Sequence, residues 1–240
     1  MNFKLLNKFA LVSAFFILMA MPAKAGMNFG LGIVADTSDF ATSGSETEGN
    51  TAGSDVEVNT AAKKTEGVDS AHGFAEVIVK GDDGILGFIG LTVGVDVIPG
   101  DSNIRSETRT DTLAASGAGQ QATETHSATA TVSNIASIYY EPTLYLHEMV
   151  GVYYKAGFVR MSVDAKKTGG DARYDEQTLY GAVTGAGIRL THPSGIYLKY
   201  EHLETDWESL VFKSTAIGSE KHVYGDVDQD SDRIAIGYKF

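Results

Sequence analysis

The chain has no cysteine among its 240 residues, so it has neither a disulfide framework nor thiolate chemistry. An exported chain without disulfides is held by packing or by lipid embedding. Of its four prolines, only Pro142 falls inside a segment that reads as a strand. Beyond Met21 no apolar run is long enough to cross a bilayer as a helix, which takes about 20 residues. The most apolar later stretch, Ile85 to Ile98, is broken by Gly87, Gly90, Gly94 and Asp96. Positive charge is scarce as well: 19 basic residues face 31 acidic ones, for a net charge of −12. That balance argues against nucleic acid as a partner. The six histidines, at 72, 126, 147, 192, 202 and 222, show no metal-ligand spacing of the His-Glu-x-x-His kind, so no metal or cofactor is expected. His202 with Glu204 or Ser209, and His126 with Ser127, are fragments of catalytic sets without a nucleophile elbow. An enzyme is therefore not expected.

What is present begins with the N-terminus. Lys4 and Lys8 precede an apolar run, Phe9 to Met21, and Pro22-Ala23-Lys24-Ala25 follows with small residues at the positions a signal peptidase reads. Residues 1–25 read as a cleaved signal peptide, because the run is too short for a membrane anchor. The mature protein, 26–240, would lose Lys4, Lys8 and Lys24 and become more acidic.

The rest alternates with period two, the signature of strands. The last residues are the clearest. Ile234, Ile236, Tyr238 and Phe240 share one face, and Arg233, Ala235, Gly237 and Lys239 the other. Eight such segments are predicted, over 27–36, 71–80, 85–98, 134–146, 150–166, 177–191, 196–203 and 229–240. Short turns at 81–84, 147–149 and 192–195 alternate with longer connections at about 37–70, 99–133, 167–176 and 206–228. A slip in alternation near Phe158-Val159 suggests a bulge. Pairing of Ser127 to Val132 with part of the first long connection would make ten strands instead of eight.

Long connections on one end and tight turns on the other are the rhythm of a transmembrane barrel. Only helices and closed barrels satisfy every backbone group in lipid, so the apolar faces point outward and the opposite faces fill the lumen. Glu76, Asp96, Glu141 and Glu201 then lie inside with Lys155, Arg189, Lys199 and Arg233. An eight-stranded barrel is just wide enough for side chains to fill it, so these are expected to pair as an ion-pair plug. Outward tyrosines and phenylalanines, such as Tyr140, Tyr154, Tyr200 and Phe240, suit the membrane interfaces. Asp226, Asp228, Asp230 and Asp232 alternate toward the outer rim and lack the spacing of a calcium-binding EF-hand.

Three segments carry a family resemblance: Gly185-Ala-Gly-Ile-Arg-Leu190, Gly195 to His202, and Arg233 to Phe240. With the signal peptide and the loop rhythm, they resemble the small eight-stranded outer-membrane barrels of the opacity-protein, OmpX and OmpA-like membrane-domain types. The resemblance implies an all-β, eight-stranded antiparallel up-and-down barrel in the bacterial outer membrane. It also implies a porin-like or surface-presenting protein, monomeric, in contact with outer-membrane lipid and lipopolysaccharide. In that family Ile234, Ile236, Tyr238 and Phe240 would be the C-terminal signal for periplasmic chaperones and the barrel-assembly machinery. Two functions are expected in competition, adhesion or surface recognition through the long connections and a small diffusion pore. A lipid-modifying enzyme is more remote.

Overall fold

The computed structural model describes residues 26–49, 56–81, 87–113, 122–168, 174–213 and 220–240. The signal-peptide reading of 1–25 lies outside them, as do the tips of the longer connections.

The described residues form nine strands: β1 (Gly26–Gly49), β2 (Val56–Lys80), β3 (Ile89–Leu113), β4 (Ala122–His147), β5 (Val150–Thr168), β6 (Gln177–Thr191), β7 (Ile196–Trp207), β8 (Leu210–Lys213) and β9 (Glu220–Lys239). From β1 to β7 each strand pairs antiparallel with the next along the chain, and both β7 and β8 pair with β9. Pairing of β1 with β9, from Gly30↔Lys239 to Gly49↔Glu220, closes the ring. The ring has eight members, because β8 takes up the track of β7. Asp206 of β7 opposes Asp228, and Leu210 of β8 opposes Gly225 on the same edge of β9. The all-β, antiparallel up-and-down barrel expected from the sequence is therefore the fold.

The lower part carries an apolar outer face. Met27, Phe29, Leu31 and Ile33 of β1 point out, as do Ile196, Leu198 and Tyr200 of β7, Ile234, Ile236 and Tyr238 of β9, and Phe240 just after it. Ile234 is 63% exposed and Phe240 68%, while their neighbours Arg233 and Ala235 are buried. Apolar exposure of this kind on a closed ring is the reverse of a soluble barrel, and it defines a lipid-facing band. Pro142 sits on that outer face of β4. It opposes Leu91 of β3, and the β4–β5 pairing skips from Tyr140↔Ala156 to Thr143↔Tyr153 around it, as a residue without an N–H requires.

The largest departure from expectation is above the band. The sequence pattern predicts connections at 37–70, 99–133 and 206–228, but most of those residues continue the strands. β1 pairs with β2 up to Gly49↔Val56, and β3 with β4 up to Leu113↔Ala122. About 9–11 residues span a bilayer as a tilted strand, whereas β1 to β4 have 24 to 26 each, so more than half of each stands in water. The reason is a reversal of polarity at constant alternation. Phe40, Ile104, Val132, Met161, Val163 and Leu179 point inward and form one buried apolar cluster with Phe212 and Val227. Asp39, Arg160, Asp228 and Asp230 point outward. A test for lipid-facing apolar residues fails there, although the strand does not end.

The same reversal corrects the suspected bulge. β5 keeps an unbroken register with β6 from Val150↔Leu190 to Val163↔Gln177, so Phe158-Val159 is no bulge. It is where β5 leaves lipid for water. The irregularity lies on β4, between Ser133 and Ala136, where Asn134 takes φ = 52°. Asparagine is among the few side chains that tolerate that left-handed region. The segment Ser127 to Val132 pairs with β3 and β5, not with the first connection, so the ring does not gain two strands.

The ring is not laddered all round at its upper end. Among the described residues the pairing of β2 with β3 runs from Lys80↔Gly90 only to Gly73↔Val97. Above that the wall is parted, and side chains bridge the gap. Lys64 Nζ of β2 donates to the Ser106 carbonyl of β3 at 3.1 Å, and Arg105 Nη1 of β3 reaches past β2 to donate to the Thr42 carbonyl and hydroxyl of β1, both at 3.0 Å.

Candidate functional site: a charged lumen under an apolar layer

Each of the eight charged residues that the sequence assigns to the lumen is buried there. Alternation alone places them: each is opposite in parity to the lipid-facing residues of its own strand. Register then brings them together. Arg189 of β6 lies 2.9 Å from Glu76 of β2 and 3.0 Å from Glu141 of β4. Lys199 of β7 lies 2.7 Å from Glu141, 3.0 Å from Glu201 and 3.4 Å from Glu76. Lys155 of β5 lies 3.1 Å from Glu201 and 3.6 Å from Asp96. Arg233 of β9 lies 3.3 Å from Asp96.

Several lumen residues fall outside that predicted set. Asp36 lies 2.9 Å from Arg233 as an ion pair and makes a fifth carboxylate beside Glu76, Asp96, Glu141 and Glu201. Its parity in β1 is legible, but it stands at the end of the predicted strand. His72 is buried on the inner face of β2. Tyr139, Tyr153 and Tyr197 also turn inward: Tyr153 Oη donates to Glu201 at 2.8 Å and Tyr139 Oη to Glu76 at 3.4 Å. Lys155 sits 3.7 Å over the Tyr139 ring. The inner glycines make room for these rings. A methyl group on Gly187 would come within 2.5 Å of the Tyr153 hydroxyl, and one on Gly94 or Gly237 would meet the ring of Tyr139 or Tyr197. The small residues of the inner face are thus sockets for aromatic rings on neighbouring strands.

A polar layer joins these charges to the apolar cluster above. Trp207 Nε1 donates to Gln229 Oε1 at 3.2 Å, Gln229 Nε2 donates to Ser38 Oγ at 3.0 Å, and Ser38 Oγ donates to Asp36 at 2.8 Å. From membrane to surface the interior is therefore ion pairs, hydroxyls and amides, then hydrocarbon. An ion crossing it would displace pairs that neutralise one another and then enter an apolar layer, which opposes conduction.

The acidic run of β9 lies on the outer face above the band, with Asp226, Asp228, Asp230 and Asp232 all exposed. Asp232 accepts Tyr200 Oη at 2.9 Å and lies 3.1 Å from His202 Nδ1. Ser209 Oγ donates to Asp226 at 2.7 Å. Of the residues noted as a catalytic fragment, His202 meets Asp232 and Ser209 meets Asp226. Among the described residues no group of three or more His, Asp or Glu is arranged to hold a metal ion.

A closed antiparallel ring with lipid-facing side chains outside and charge inside belongs in a bilayer reached by strands. The chain is an eight-stranded transmembrane β-barrel. No family model and no curated protein matches the sequence. Among solved structures it is similar to Ail, the attachment invasion locus protein of Yersinia pestis, at 9% identity and a TM-score of 0.37, over 87% of this chain and 99% of that one. It is similar to neisserial surface protein A at 12% identity and a TM-score of 0.34, over 90% and 99%. It is also similar to the outer membrane protease OmpT of Escherichia coli at 10% and 0.40, over 89% and 97%. Likenesses at this level carry no argument of their own; the barrel rests on strand order, register and the polarity of its faces.

Proposed function

We propose that the protein is a closed surface barrel that recognises partners through its upper, water-exposed strands and neither conducts nor catalyses. The observation that supports this most is the sealed interior. Four bases and five carboxylates pair across the lumen at 2.7 to 3.6 Å, and a buried apolar cluster lies above them. Rigid strands carrying variable polar side chains are a suitable platform for adhesion or surface recognition. A diffusion pore would need a continuous polar path, and the described lumen offers none. Reconstituted in planar bilayers, the protein is expected to give no steady conductance; a stable ohmic step would refute the plug and favour the pore. On intact cells, replacing residues 43–66 by a short turn is expected to abolish surface binding while the barrel still inserts and keeps its heat-modifiable gel mobility. Binding that survives the replacement would place recognition elsewhere.

The outward face of Ile234, Ile236, Tyr238 and Phe240 is proposed to serve assembly as well as lipid contact. Deleting Phe240 is expected to lower the amount of protein in the outer membrane several-fold without changing its export to the periplasm. Equal outer-membrane levels in the two would remove that role.

A further inference from the structure

The buried apolar cluster closes the lumen from above, but it does not fill the upper barrel. A cavity of about 460 Å³ opens over it, floored by Ile104, Val163, Leu210, Phe212 and Val227. Its sides include Ala130, Ala165 and Val223. Small-molecule sites run from about 300 to 1,000 Å³ and are mostly apolar with a few polar groups at one end. This cup has that form. Its rim carries both signs of charge, with Arg105 and Lys166 beside Glu46, Glu107 and Asp226. Arg105 is itself paired with Glu107.

The position of the cup adds a second constraint. The ladder between β2 and β3 stops at Gly73↔Val97, and Val97 is a lipid-facing residue, 56% exposed. The gap in the wall therefore starts at the membrane surface and rises beside the cup. Lys64 of β2 crosses it by a side-chain bond to Ser106 of β3, and Arg105 of β3 reaches past β2 to Thr42 of β1. A cup lined by hydrocarbon, with charges of both signs at its mouth and a parted wall that begins where the bilayer ends, matches a chain with a zwitterionic head. We propose that this cup binds the acyl chain of a single-chain zwitterionic lipid. The chain lies against Ile104, Val163 and Phe212, and the head stays among Arg105, Lys166 and the rim carboxylates. This goes beyond the proposed surface recognition and does not depend on it.

Trp207 allows a direct test. It is the only tryptophan in the chain and packs against the apolar cluster beneath the cup. The protein is placed in nanodiscs of ordinary phospholipid and titrated with a monoacyl phosphocholine brominated along its chain. Bromine quenches indole fluorescence only at close range. Saturable quenching, reversed by the unbrominated compound, is expected. Ala130→Phe fills the cup and Val223→Asp charges its wall; each is expected to weaken the apparent affinity about tenfold or more, since an unpaired charge in an apolar wall is costly. Unchanged heat-modifiable mobility shows that both variants remain folded. A second set of nanodiscs, made with brominated phospholipid and no added compound, distinguishes the sources. Quenching there that Ala130→Phe removes means that the cup draws its chain from the bilayer. Quenching that neither variant changes, in either set, is ordinary bilayer contact and overturns the proposal, as does no quenching at all.

Discussion

Arg189→Met is expected to destabilise the barrel by about 3–5 kcal/mol, the cost of breaking a buried charge pair from one side. Arg189 is 1% exposed and donates to Thr92, Glu76 and Glu141 at 2.9 to 3.0 Å. Of the described bases in the lumen only Lys155, Lys199 and Arg233 would remain, against Asp36, Glu76, Asp96, Glu141 and Glu201. Methionine keeps much of the side-chain volume, so the loss is electrostatic and not a cavity. The double variant Arg189→Met with Glu141→Gln removes one carboxylate along with the base. It is expected to recover roughly 1–2 kcal/mol, within the coupling usual for residues in one network. Urea unfolding in phospholipid vesicles, followed by tryptophan emission, measures both. A single variant as stable as the native protein would mean that the lumen is wet enough to screen its charges.

Ile236→Arg is expected to cost about 2–4 kcal/mol, the range for a base placed on the lipid face near the bilayer midplane. Ile236 lies in the middle of the band, opposite Leu198 on one side and Ile33 on the other, all three pointing outward. The informative control is Asp230→Lys, three pleats higher on the same face of the same strand. Asp230 opposes Glu204 of β7 and Asp39 of β1, so a base there relieves like-charge neighbours. It is expected to be neutral within about 0.5 kcal/mol or slightly stabilising, as an exposed surface change. Together the two variants place the water boundary between Ile236 and Asp230. Equal costs at both positions would show that the band is misplaced.

The sealed interior and the upper cup suggest a division of labour along the barrel axis. The charged lumen with its tyrosine–glycine sockets ties the strands together where lipid surrounds them. The water-exposed half is built like a soluble barrel, apolar inside and polar outside, and carries the surfaces that can meet other molecules.

Much of this was legible in the sequence, residue by residue. Glu76, Asp96, Glu141, Lys155, Arg189, Lys199, Glu201 and Arg233 each sit between outward-facing neighbours on their own strand, and parity alone puts them inside. Asp36 and His72 share that parity, but they stand where the apolar outer pattern fades and were not assigned. Tyr139, Tyr153 and Tyr197 share the parity of Glu141, Lys155 and Lys199, two residues on, so alternation turns them inward as well; what it does not show is which glycine receives each ring. The continuation of β1 to β4 into 37–70 and 99–133 was hidden for a different reason. Phe40, Ile104 and Val132 obey a soluble pattern, and a search for greasy outer faces treats their polar neighbours as loop.

The sequence by itself determined the period of the strands, the lipid-facing side of each and the charge that must lie opposite, because these follow from local alternation and the solvent on each face. Only the tertiary structure decided which charges meet, since Arg189 and Glu76 are 113 residues apart and are joined by ring closure and register. It also decided that the barrel continues above the membrane. Outside lipid the hydrophobic effect acts on the interior instead of the exterior, and the same alternation then encloses an apolar core.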